Sequence, residues 1–375
     1  MKLAFLAPIV PLNEVHINRP YFELPKAMSL VESEGFLLAG KISIPCDMGI
    51  KIYETGIESN KQRDIFRAFH ITSRVLWEEH PDLVVFFHMN VLLSVFILLH
   101  KFRTFFSKRR FQSQTIWVLK LDWDGSNFED LGKTGMKIRN LFLSFNSLFL
   151  DFLVAENSCS YKATVKMPFI HKERVKLIPN ACSTDFPKIK YDLKEREKMI
   201  LSVSRMVPEK GIDILIKSYI RISKRFPEWC LTIVGPIENR EYYDLLKNMI
   251  NEHSISSQVK IVGPIYGDEL RNLYRKASIF CLASYSESFG MVRIEAIESG
   301  IPLITTTAGC GNDFKKFGSL IVPPSDIEAL SNALTTLMKS EKLRLEISEA
   351  QQNSFPDYAV VAKLYKELAT NALAP

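Results

Sequence analysis

The sequence predicts an α/β protein made of two domains, each built around a parallel sheet. Three observations carry this reading. A chain of 375 residues is longer than one hydrophobic core usually supports. Short apolar runs alternate with longer amphipathic stretches, the order of strand, helix, strand that parallel sheets require. A charged segment from Asp185 to Lys198 breaks that alternation once and serves as the linker. The expected domains are residues 1–186 and 187–355, with a closing segment, 356–375, packing back on the first.

The elements follow in order. Lys2–Ala7 reads as a buried first strand and Tyr21–Gly35 as a helix stopped by its glycine. Asp82–Phe87 is a run of β-formers, followed by a long helix from Val91 to Arg109 and a strand at Thr115–Leu121. An apolar helix over Ile138–Phe149 leads into strands at Phe152–Ala155 and Val175–Ile178. Beyond the linker, strands are expected at Met199–Val203, Leu231–Gly235, Val259–Val262, Ile279–Leu282, Leu303–Thr305 and Ser319–Val322. Helices are expected at Ile212–Arg225, Glu241–His253, Asp268–Lys276, Asp326–Ser340 and Tyr358–Asn371, with one more after Gly290.

Composition narrows the function classes. An apolar fraction of 47% with 24% charged residues is that of a folded globular protein. A net charge of +6 is too mild for a dedicated nucleic-acid face, and no nucleic-acid partner is expected. The six cysteines, at 46, 159, 182, 230, 281 and 310, form no C-x-x-C pair, and most sit in apolar runs. That pattern points to free thiols in a reducing, cytoplasmic setting. The N-terminus is broken by Pro8 too soon for a signal peptide, and the longest apolar run, Val91–Leu99, is at most half a membrane span.

The chemistry concentrates in two places of the second domain. The run Ser286–Ala296 sets Glu287 before the Phe289–Gly290 turn and Glu295 inside the following helix. Backbone N–H groups at a helix start lack intrahelical partners and carry the positive end of the dipole, so they suit a phosphate. Carboxylates repel a phosphate but accept hydrogen bonds from sugar hydroxyls. Together these groups outline a site for a nucleotide sugar. The second place, Ser202–Gly211, follows the first strand of that domain. There Arg205 offers a planar fork for phosphate oxygens and Lys210 a mobile point charge.

With its flanks, Leu273–Phe280 before and Gly300–Thr305 after, the first run resembles the E-x7-E block of retaining GT-B glycosyltransferases, the group often called family 4. Ser202–Gly211 is similar to the same family's arginine–lysine segment, with Ser204 where the family usually has glycine. The resemblance is strong in the C-terminal half and weak in the N-terminal half. It implies two Rossmann-like domains facing across a cleft, with a C-terminal helix crossing back. It also implies transfer of a hexose from a nucleoside-diphosphate sugar to a glycan or lipid-linked acceptor with retention of configuration. No cofactor is expected beyond the donor, and no metal ion.

On that resemblance Glu287 grips donor-sugar hydroxyls, and the backbone at Ser288, Phe289, Gly290 and Met291 meets sugar and phosphate oxygens. Glu295 accepts from the ribose, and Arg205 and Lys210 hold the diphosphate. Gly235 and Gly263, with Ile265, look like base-recognition turns. Asp122 aligns with a catalytic histidine of many relatives and would stabilise positive charge at the anomeric carbon. Lys120, Asp124, His88 and His16, with Arg19, are polar candidates on the acceptor side, where the family's Gly-Gly loop is replaced by the glycine-free run Pro8–His16. The basic, aromatic run Lys101–Phe111 suits an anionic bilayer surface as well as it suits a core helix with a solvated tail. A non-catalytic scaffold or glycan-binding subunit, and a nucleotide-sugar epimerase, are the competing readings.

Overall fold

The computed structural model describes residues 1–12, 20–31, 33–43, 49–57, 62–87, 96–101, 115–121, 141, 144–145, 147–168, 170–182, 196–351 and 355–374. These form two units, Met1–Ser183 with Pro356–Pro375, and Thr184–Phe355.

In the first unit the strands are β1 (Lys2–Ala7), β2 (Glu34–Ala39), β3 (Lys51–Glu54), β4 (Leu83–Phe86), β5 (Ile116–Leu121), β6 (Phe152–Ala155) and β7 (Val175–Leu177). They form one seven-stranded sheet in the order β3-β2-β1-β4-β5-β6-β7, and every pairing is parallel. Its helices are α1 (Pro20–Met28), α2 (Gln62–Glu79) and α3 (Ser158–Thr164). β1 is buried along almost its whole length, as a central parallel strand covered on both faces must be. The apolar residues divide into one cluster on each face of the sheet.

One expectation fails here. The helix expected over Tyr21–Gly35 ends at Met28, a 3₁₀ turn covers Ser29–Val31, and Gly35 lies inside β2. Pro25 removes a ladder hydrogen bond within α1. The apolar run from Phe36 to Ala39 then gains more by pairing with β1, residue for residue from Lys2↔Glu34 to Ala7↔Ala39. Strands β2 and β3 and helix α2 are elements that the sequence reading missed. Of the long helix expected from Val91 to Arg109, residues 96–101 are described and helical; the rest lies outside the described residues.

In the second unit the strands are β8 (Glu197–Val203), β9 (Cys230–Val234), β10 (Val259–Val262), β11 (Ala277–Leu282), β12 (Leu303–Thr306) and β13 (Leu320–Val322). The helices are α4 (Ile212–Ser223), α5 (Arg240–Glu252), α6 (Gly267–Lys276), α7 (Met291–Glu298), α8 (Ile327–Lys339) and α9 (Glu341–Gln351). The sheet order β10-β9-β8-β11-β12-β13, all parallel, is the doubly wound order 3-2-1-4-5-6 counted from β8. α4 shows why the sequence folds this way: Ile212, Leu215, Ile216, Tyr219 and Ile222 recur at helical spacing and are all buried. Polar caps fix the helix starts. Asn239 accepts from the Tyr242 N–H at 2.9 Å, and Asp326 from that of Ala329 at 2.8 Å.

The last helix, α10 (Tyr358–Leu373), returns to the first unit and buries Tyr358, Val361, Ala362, Tyr365, Leu368 and Ala369 there, with its start capped by Asp357. Among the described residues, no helix is long and apolar enough to cross a membrane. Cys182, Cys230 and Cys281 are free thiols, whereas Cys159 and Cys310 are disulfide-bonded. The latter two depart from the all-thiol expectation.

Candidate functional site

In a doubly wound sheet, ligands bind beyond the carboxyl ends of the strands, at the point where the strand order reverses. In the second unit that point lies between β8 and β11. The two motifs singled out in the sequence leave these two strands. The loop after β8 carries Arg205 and Lys210, and the loop after β11 carries Glu287.

Backbone bonds lock the two loops together. The Glu209 carbonyl accepts from the N–H of Tyr285 at 2.9 Å and of Ser286 at 3.4 Å. Gly211 is left-handed, with φ 60°, and a Cβ there would lie 2.2 Å from the Ala283 carbonyl oxygen. Only glycine permits this approach. The result is a side-chain contact: Lys210 Nζ sits 2.9 Å from Glu287 Oε2, and the two side chains keep 12% and 10% exposure. The Ser284 hydroxyl donates to the same carboxylate oxygen at 3.3 Å.

Arg205 lies in the same loop but points elsewhere. Its guanidinium is 2.8 Å from Glu238 and 3.5 Å from Glu209, and the side chain is half exposed. Exposed ion pairs of this kind contribute roughly 0–1 kcal/mol, so an incoming anion displaces them at little cost.

Gly290 caps α7 in the left-handed region, with φ 75°, where Glu287 Cγ and the Arg293 side chain would crowd any Cβ. Phe289 is buried edge-on against Phe314, with ring centroids 5.9 Å apart, and Met291 is buried beside it, while Ser288 is half-buried. Glu295 lies further along the helix. It is mostly buried, and the Tyr274 hydroxyl donates to its Oε2 at 2.8 Å.

Gly235 and Gly263 follow β9 and β10. The Gly235 N–H reaches the Gly263 carbonyl at 3.3 Å, and a Cβ on Gly235 would strike the Ser204 oxygen at 1.9 Å. Ile265 is half-buried, while Ile237 and Tyr266 are exposed next to these turns.

In the first unit the candidates fare differently. Lys120, expected to face a ligand, is buried: its ammonium meets Glu156 at 2.5 Å, and Asn180 donates to the same carboxylate at 2.6 Å. Its charge is balanced inside the unit by Glu156, a pairing that the strand-end position alone did not reveal. Asp122, Asp124, His88, His16 and Arg19 lie outside the described residues. Among the described residues, no cluster of His, Cys, Asp and Glu is placed to hold a metal.

Sequence reasoning missed Ser284 and Arg293. Ser284 could have been found as a polar residue at the end of an apolar strand. Arg293 carried no signal, because a basic residue on a helix ordinarily faces solvent.

Two Rossmann-like α/β units, the second with basic and acidic motifs at its switch point, define the GT-B class. Residues 184–354, within the second unit, match the family described as "Glycosyl transferases group 1".

Among curated relatives, an uncharacterized glycosyltransferase of Haemophilus influenzae is 30% identical over 171 residues, covering 44% of this chain and 47% of that protein. The D-inositol 3-phosphate glycosyltransferase of Corynebacterium glutamicum is 30% identical over 157 residues, covering 40% and 38%. The match thus spans about half or less of these relatives' length.

Solved structures align along nearly the whole chain. A glycosyltransferase from Rickettsia africae superposes with a TM-score of 0.75 at 17% identity, covering 99% of this chain and 98% of that one. Anabaena HepE, solved in complex with UDP-glucose, gives 0.73 at 16% identity, covering 99% and 100%. At such identities the likeness is one of fold.

Proposed function

We propose that this chain is a retaining glycosyltransferase of the family 4 type, moving a hexosyl group from a nucleoside-diphosphate sugar to a glycan or lipid-linked acceptor. The observation that carries the reading is the contact of Lys210 with Glu287 at the switch point, just ahead of the Gly290-capped helix. A cation for a diphosphate, a carboxylate for sugar hydroxyls and a helix start for phosphate oxygens thus stand side by side. The domain family and the UDP-glucose complex of the HepE neighbour support the same donor class.

In the reaction proposed, the bond from the anomeric carbon to the phosphate oxygen breaks, and the acceptor oxygen bonds that carbon on the same face. The departing phosphate oxygen takes the acceptor's proton. Lys210 and Arg205 balance the growing phosphate charge, and Glu287 fixes the sugar. Glu295 would accept from the ribose hydroxyls, and Asp122 would stabilise the anomeric cation. No metal ion and no cofactor beyond the donor take part. The protein would work in the cytoplasm, with the Lys101–Phe111 run resting on an anionic membrane that presents the acceptor.

A thermal-shift panel of UDP-, GDP- and ADP-sugars tests the donor class. A ligand at a hundred times its Kd stabilises by about 2.7 kcal/mol. One donor is expected to raise the melting temperature, and the purified protein to hydrolyse it slowly with chelator present. Binding without any turnover would favour the scaffold. Release of a free epimer would favour an epimerase, and no binding at all would end the reading.

A further inference from the structure

Arg293 is the third residue of α7, between Glu287 and Glu295 in sequence, and it is wholly buried. Its fork donates to three backbone carbonyls: Phe289 at 3.3 Å and Gly309 at 3.2 Å from one nitrogen, and Ala308 at 2.8 Å from the other. The guanidinium carbon stands 5.3 Å from the centre of the Phe314 ring. Nε has no acceptor, and among the described residues no carboxylate lies within ion-pair distance. A cation buried on carbonyls alone is costly. Burial pulls its pKa down to about 10, and the nearby Glu287 charge works against that fall. It therefore remains charged at neutral pH.

The carbonyls show what this arrangement accomplishes. Phe289 belongs to the turn directly after Glu287. Ala308 and Gly309 begin the segment Ala308–Phe317 after β12, a 3₁₀ stretch whose helical backbone is broken into a loop at Gly309 and Cys310. Gly309 is left-handed, with φ 56°, and passes so close under Glu287 that a Cβ would lie 2.5 Å from its carbonyl oxygen and 2.7 Å from its own Cβ. Arg293 thus ties a second loop against the backbone of Glu287, while Lys210 holds the carboxylate from the β8 side. A lysine, as a point charge, cannot span three carbonyls in this way.

We propose that Arg293 is a positioning residue: its fork clamps the 308–309 loop beneath Glu287 and so sets that carboxylate for the sugar portion of the donor, without touching the donor itself. This rests on the nucleotide-sugar reading above. Because the diphosphate is held by Arg205 and Lys210, loss of the clamp should weaken recognition of the sugar and spare that of the nucleotide.

The test compares wild type, Arg293→Lys and Arg293→Met for binding of UDP against UDP-glucose, GDP against GDP-mannose and ADP against ADP-glucose, with melting temperature and donor hydrolysis measured alongside. For the pair that the wild type binds, both variants should hold the free nucleotide within about twofold. They should lose about tenfold or more in nucleotide-sugar affinity and in hydrolysis rate. Should Arg293→Met not fold, Arg293→Lys, which keeps length and charge, carries the test. Unchanged sugar recognition overturns the inference. So does a parallel loss of nucleotide and nucleotide sugar, or a failure of both variants to fold, since either marks a purely structural arginine. If the wild type binds none of the pairs, the nucleotide-sugar reading falls and takes the inference with it.

Discussion

Replacing Lys210 with methionine tests the centre of the site through stability alone. The pair with Glu287 is 2.9 Å long with 12% and 10% exposure. Removing one partner of a buried ion pair usually costs about 3–5 kcal/mol, most of it from the charge left stranded. Here the residual exposure and the Ser284 hydroxyl at 3.3 Å relieve part of that penalty. We therefore expect about 2–3 kcal/mol. For a unit of this size each kcal/mol moves the midpoint by about 2–4 °C, so the transition of the second unit should fall by about 4–12 °C. Scanning calorimetry reads it. The double variant Lys210→Met with Glu287→Met strands no charge and should lose less than the two single losses added, by about 1 kcal/mol or more. A Lys210→Met protein that melts with the wild type, or a strictly additive double variant, would refute the reasoning.

Two further outcomes follow from geometry. Gly211→Ala combines a left-handed φ of 60° with a 2.2 Å clash against Ala283, so it should cost about 2 kcal/mol or more in denaturant titration. Gly263→Ala, where a Cβ meets nothing within 4 Å, should stay within about 0.5 kcal/mol of wild type; equal effects at the two positions would contradict the close approach. In the first unit, hydrogen bonds from Lys51 and Tyr53, with Lys2 at 3.0 Å, hold the Glu79 carboxyl down at about 2. Its folded value is below its unfolded one, so the stability it contributes is present above about pH 4.5 and is lost as pH falls toward about 2. Glu79→Gln should flatten the acid limb of that unit's unfolding curve over this window, and an unchanged slope would count against the cluster.

Much of the second unit was legible because each of its strands is an apolar run and its helices start with readable caps, as at Asn239 and Asp326. The first unit was less so. Gly35 has the look of a helix stop, yet the short apolar run Phe36–Ala39 bounded by Gly40 is the mark of a buried parallel strand. Helix α2 could have been found from Ala68, Thr72, Val75 and Leu76, whose spacing matches one buried face. β3 is a four-residue edge strand with no buried residue, and only its pairing with β2 defines it. In the site, Glu287 and Lys210 were legible as a motif, but their contact was not. It depends on Gly211 bringing two loops together from strands far apart in sequence. Arg293 was invisible for the same reason: two of its three acceptors lie fifteen or sixteen positions away.

The mutual hydrogen bonds of the β8 and β11 loops also bear on how this unit can be redesigned. A segment exchanged with another protein at Arg205–Gly211 would arrive without the amides of Tyr285 and Ser286 that its carbonyl at position 209 must meet. Insertions or transplants at either motif should therefore succeed only when both segments are carried across as a matched set. The turn after β10 has open space around the Gly263 Cα, so a side chain can be added there, but the turn's length is fixed by the Gly263 carbonyl, which accepts from the Gly235 N–H of the neighbouring turn.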